Sequence, residues 1–83
     1  MKKEMREKER EKERESYLNL LAKLAKKRVE AGFTQYDIAQ TLGLTESGYF
    51  KVEKGSTKLD LERLLIVLSK LEVSPEDFFK GIK

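Results

Sequence analysis

The stretch from Thr34 to Gly55 carries the residue types and spacing best suited to molecular recognition. Thr34 and Thr45 each stand where a helix N-cap belongs, and Gly43 and Gly55 each stand where a helix stops. Asp37, three residues after Thr34, completes a variant capping box. Only Gly43 and Leu44 separate the two helices, so they cannot lie antiparallel and must cross steeply. The small side chain of Ala39 lets the second helix approach the first, and Gly43 permits the positive φ of the turn. Such a pair holds one helix firmly across another and leaves its outer face free. A helix has the right width to enter the DNA major groove, where base edges are distinguishable.

Composition narrows the alternatives. The chain contains no His, the commonest general base and metal ligand, and no Cys, which excludes a disulfide scaffold and a thiolate metal site. Its acidic residues are scattered or on alternating faces, and no nucleophile–base pair is evident. No enzyme activity, metal, cofactor or small-molecule ligand is therefore expected. The lack of Cys fits a reducing cytoplasm. The 83 residues suffice for one domain, with 39% hydrophobic residues for a core and 40% charged residues around it. A formal net charge of +3 and a pI of about 9.2 permit nucleic-acid binding without requiring it. No apolar run approaches the roughly 18 residues of a membrane span, and the N-terminus lacks a signal-peptide core. No membrane association is expected.

The chain divides into a charged N-terminal extension, residues 1–15, and a helical domain, residues 16–83. From Arg6 to Glu15 basic and acidic residues alternate strictly, which places opposite charges at i,i+3 and like charges at i,i+4. Through Glu15 there are seven basic and six acidic residues, too near neutrality for a strong phosphate-binding arm. The segment reads as a passive piece, either a solvated helical extension or a frayed tail.

From Ser16 the period becomes helical, with Tyr17, Leu20, Leu21, Leu24, the stem of Arg28 and Ala31 on one face. Leu18, Ala22, Ala25 and Val29 widen that face, and Gly32 ends the helix. Ile38, Ala39 and Leu42 carry the buried side of the helix that Thr34 opens. A third helix runs from Thr45 through Lys54. Asp60 caps a fourth, whose spacing turns Leu61, Leu64, Leu65, Leu68 and Leu71 inward. Ser74-Pro75-Glu76-Asp77 gives a cap, an N1 proline and an acidic first turn for a short fifth helix carrying Phe78 and Phe79. No alternating β-branched stretch suggests a strand. The fold class predicted is all-α, with five helices.

Several motifs together resemble the bacterial and phage repressor family that includes the lambda and 434 repressors and Cro. They are Thr34-Gln35, Ile38-Ala39, Leu42-Gly43-Leu44-Thr45 and Val52-Glu53-Lys54-Gly55, continuing to Val73-Ser74-Pro75-Glu76-Asp77-Phe78. The resemblance spans roughly residues 17–79 and implies a lambda-repressor-like domain that binds double-stranded DNA. It implies that Gln35 contacts a phosphate and braces the recognition helix. It also implies that Thr45, Glu46, Ser47, Lys51 and Lys54 point toward DNA, with Glu46, Ser47 and Lys51 nearest the base edges. Thr57 and Lys58 fall where relatives touch phosphates, and Arg28 and Glu53 resemble the family's buried ion pair.

Three residues depart from the family pattern. Glu46 puts an acid near phosphates, although Glu can accept a hydrogen bond from cytosine N4. Gly48 sits inside a helix, where it costs about 1 kcal/mol relative to Ala but permits close approach to DNA. Tyr49 stands where relatives carry an aliphatic residue, so its ring must pack inward with its hydroxyl reaching a partner. Phe50 then faces outward, toward a thymine methyl, a partner or water.

One recognition helix reads only a few base pairs, so useful affinity implies a homodimer on two half-sites. The C-terminal end offers the surface, through Phe79 and Ile82 on one face, with Leu18, Ala22, Ala25 and Val29 as a second candidate. The function expected is sequence-specific regulation of transcription, of repressor or controller type, at a palindromic operator. The alternative is an antitoxin or a protein-interaction module that retains the fold.

Overall fold

The computed structural model describes the backbone of residues 2–81 and the side chains of residues 7–81. Five helices follow one another: α1 Lys2–Glu30, α2 Gln35–Leu42, α3 Glu46–Lys54, α4 Leu61–Leu71 and α5 Pro75–Phe79. The described residues form no strand.

Each short helix begins at the cap its sequence provides. The Thr34 hydroxyl accepts from the Asp37 amide at 3.1 Å, and the Thr34 amide donates back to the Asp37 carboxylate at 2.8 Å. Those bonds from Thr34 hold the Asp37 carboxyl below its ordinary pKa. Thr45, Asp60 and Ser74 accept in the same way from Gly48, Arg63 and Asp77. Gly43 ends α2 at φ 71°, with its amide donating to Gln40 and the Leu44 amide donating to Ala39 at 2.8 Å.

The core gathers Leu24 from α1, Ile38 and Ala39 from α2, Tyr49 and Val52 from α3, Val67, Leu68 and Leu71 from α4, and Phe78 from α5. Ala39 is fully buried, as a close crossing of α2 and α3 requires.

Helix α1 starts at Lys2 and runs unbroken through residues 15 and 16, as the helical-extension alternative for the N-terminal segment has it, and it differs from expectation at its C-terminal end. Glu, Lys and Arg all have good helix propensity, and this carries the helix through the like-charge i,i+4 pairs. At the other end α1 stops at Glu30, so Ala31 lies beyond it and is exposed. Along the widened edge Leu18, Ala22 and Val29 are exposed as well.

The register of α4 also differs. Leu64, Leu68 and Leu71 face the core as expected, but Leu61 is 67% exposed and Leu65 43%, while Val67 is buried. Apolar residues occupy seven of the eleven positions of α4, so the apolar pattern alone could not single out the buried stripe. Tertiary packing chose it.

Candidate nucleic-acid interface

Helix α3 is held from its inner side. Tyr49 and Val52 are buried beneath it, and Glu53 flanks them. The Arg28 guanidinium grips Glu53 through two nitrogens, at 2.7 and 3.2 Å, and gives a third hydrogen bond to the Phe33 carbonyl at 2.8 Å. The side chains are only 11% and 7% exposed, so the pair is screened little by water. The Gln35 amide group donates to the same carboxylate at 3.0 Å, which links the start of α2 to α3. Burial would raise the Glu53 pKa, but the hydrogen bonds from Arg28 and Gln35 outweigh it and hold the group below its ordinary value. Glu53 is therefore charged, and it raises the pKa of Arg28 in turn.

Tyr49 packs inward as its position requires, but its hydroxyl makes no hydrogen bond among the described residues. Burial, followed by the approach of the Glu53 carboxylate to the hydroxyl and then by its charge, pushes the phenol pKa upward.

The opposite face of α3 is open. Glu46, Ser47, Phe50, Lys51 and Lys54 are all exposed, on the side away from Tyr49 and Val52. Gln35, Glu46, Ser47 and Phe50 line a shallow groove where α2 and α3 meet, of about 290 Å³. Phe50 is 49% exposed, and the Lys54 ammonium stands 5.9 Å from the centre of its ring. Thr45 is occupied as a cap, with its hydroxyl 3.4 Å from that of Ser47. Gly48 has a local cause: a Cβ there would lie 3.1 Å from the Thr45 hydroxyl oxygen and crowd the cap. Thr57 and Lys58 are exposed in the α3–α4 loop, where the Ser56 and Thr57 amides donate to the Lys51 carbonyl.

Sequence reasoning missed what α1 does beyond Arg28. Arg14 donates to the Gly55 carbonyl at 2.8 Å, at the C-cap of α3. The Tyr17 hydroxyl accepts from the Leu59 amide at 2.9 Å. The Lys23 ammonium reaches the carbonyls of Phe78, at 2.6 Å, and Lys80, at 3.3 Å, at the end of α5. Gly55 gave the one available signal: it ends α3 at φ 87°, a conformation that L side chains rarely adopt, and does so against Leu18 of α1.

A helix packed on its predecessor through the short turn at Gly43, Leu44 and Thr45, with its outer face exposed, fits a helix-turn-helix domain, and the chain belongs to the helix-turn-helix family, whose model matches residues 24–78. That family is one of DNA-binding regulators of transcription rather than enzymes. Among curated proteins the chain is similar to the SPbeta prophage-derived uncharacterized HTH-type transcriptional regulator YonR of Bacillus subtilis (strain 168). The two are 37% identical over 59 residues, which cover 71% of this chain and 55% of the relative. The chain thus spans about half the length of that relative. No solved structure matches it. No helix among the described residues is long and apolar enough to cross a membrane.

Proposed function

We propose that the chain is a sequence-specific, cytoplasmic DNA-binding regulator of transcription, of repressor or controller type, acting as a homodimer on a palindromic operator. The observation that carries this reading is the two-sidedness of α3. Its inner side is locked by Tyr49, Val52 and the Arg28–Glu53–Gln35 network, and its outer side is free and polar. Rigid placement of a helix is what direct readout needs, since each base contact depends on geometry.

In this reading Ser47 and Lys51 meet base edges, and Glu46 accepts from a cytosine amino group. Phe50 lies beside them and offers an apolar surface to a thymine methyl. Lys54, Thr57, Lys58 and the start of α2 at Gln35 approach phosphates, while the Thr45 hydroxyl stays with its helix cap. Phe79, exposed on the side of α5 away from the core, supplies the dimer surface. Ile82, its expected partner, lies outside the described residues.

Selection from a random-sequence duplex pool tests the reading. The expected product is an inverted repeat with half-site centres about one DNA turn apart, roughly 34–36 Å. Recovery of no enriched sequence, with binding that does not weaken with salt, would overturn it.

A further inference from the structure

We propose that the groove between α1 and the α3–α4 loop is a binding site for a duplex DNA backbone phosphate. The N-terminal half of α1 then belongs to the DNA-contacting surface. The inference rests on the proposed DNA-binding function and extends it to a segment whose composition reads as passive.

The groove is built at the end of the helix that would lie in the major groove. Arg10, Glu13 and Arg14 of α1, together with Tyr17, Lys58 and Leu59, line a space of about 320 Å³. Three cations face it against a single carboxylate. Arg14 is held in place from two sides, by the Gly55 carbonyl at 2.8 Å and by the Tyr17 ring 5.6 Å from its guanidinium carbon. Its remaining N–H groups form part of a planar fork that matches phosphate geometry. The Tyr17 hydroxyl accepts from the Leu59 amide, which leaves its own proton for an outside acceptor.

Near-neutral composition hides this site because strict alternation sorts charge by face. On a helix, Arg10 and Arg14 share one stripe with Tyr17 at i,i+4 and i,i+3, while Lys12 falls on the far side. The occupant is the duplex backbone and not a free anion, because the groove adjoins the loop that carries Ser56, Thr57 and Lys58. With α3 seated between the two strands, that loop lies over the groove wall, where the phosphates run.

The test compares the full-length chain with Arg10→Gln, Lys58→Gln and, as a charge-matched control, Lys12→Gln. Binding to a short random-sequence duplex is measured across a range of potassium chloride. Arg10→Gln and Lys58→Gln should each lower the slope of log K against log salt by about 0.9 per chain, the amount carried by one phosphate contact. Lys12→Gln should keep the wild-type slope, and all three variants should keep the wild-type melting temperature. An Arg10→Gln slope equal to that of Lys12→Gln, with wild-type binding intact, overturns the site and leaves the DNA reading standing. A wild-type chain whose duplex binding ignores salt overturns both. If inorganic phosphate at constant ionic strength raises the melting temperature of wild type but not of Arg10→Gln, while the duplex slopes agree, the groove takes a free anion and the proposal fails.

Discussion

Arg28 and Glu53 face each other as a two-nitrogen, two-oxygen pair, at 2.7 and 3.2 Å, and join the last turns of α1 and α3. Removing one member would strand a nearly buried charge, at a cost of about 3–5 kcal/mol. Glu53→Ala should therefore melt far below wild type, and DNA binding should fail through unfolding. A loss under about 0.5 kcal/mol, the range of exposed ion pairs, would place the pair effectively in water.

The same carboxylate gives an acid-side signature. Its folded pKa lies below the ordinary 4.5, so its contribution to stability is complete above that value and is lost as pH falls through the folded pKa. A urea titration at several pH values should show this loss in wild type. Glu53→Gln, which cannot titrate, should be less stable at neutral pH and should lose less on acidification. Parallel acid profiles for the two proteins would exclude Glu53 as a source of the loss.

Tyr49 invites the opposite experiment. Its ring fills the core, but its hydroxyl is buried without a hydrogen-bond partner among the described residues. An unsatisfied buried polar group costs about 1–3 kcal/mol. Tyr49→Phe removes it and keeps the ring, so the variant should melt at or above the wild-type temperature. A clear fall in melting temperature would mean that the hydroxyl makes a bond in solution, most simply to Glu53.

These two neighbours mark how far the sequence could be read. The caps Thr34, Thr45, Asp60 and Ser74 act locally, within three residues, so their roles follow from short-range pattern. Arg28 and Glu53 were identifiable only through family resemblance, since nothing in their spacing brings them together. Arg14 and Lys23 bond to backbone carbonyls, which every residue has, and so left no mark in the sequence. In α4 the excess of apolar residues concealed which of them pack, and Leu61 and Leu65 came out on the surface. The outward face of α3 was legible for a different reason: once Tyr49 and Val52 are inside, helical geometry fixes the rest.

Recognition should depend on Lys51 without stability depending on it. The residue is exposed on α3, opposite the buried side. Lys51→Ala should abolish preference for the selected operator over random duplex while leaving helical content and melting temperature nearly unchanged. Unaltered operator affinity, read by fluorescence anisotropy, would exclude the proposed docking of α3.

Assembly should depend on Phe79. Phe78 is buried and meets Phe79 edge to face at 5.3 Å, while Phe79 itself remains 41% exposed. In a two-fold dimer built on this residue, Phe79→Glu places like charges opposite each other across the axis. The expected result in analytical ultracentrifugation is a folded monomer that binds a half-site weakly and loses most full-operator affinity. A variant that stays dimeric at micromolar concentration would move the interface, either to the Leu18, Ala22, Ala25 and Val29 edge of α1 or to the exposed Leu61, Leu65 and Ile66 of α4.

Helix α1 holds the other elements at fixed stations along its length: Arg14 at the end of α3, Lys23 at the end of α5, Arg28 beside Glu53. An α-helix turns by about 100° and advances about 1.5 Å with each residue. One residue inserted between Leu18 and Lys23 would swing Arg14, Tyr17 and Leu18 away from their partners together. An insertion before Arg10 would leave all these stations in place. The helix should thus accept many replacements along its exposed sides and almost no change of length within its anchored half, so deletions and insertions in this lineage should collect before Arg10.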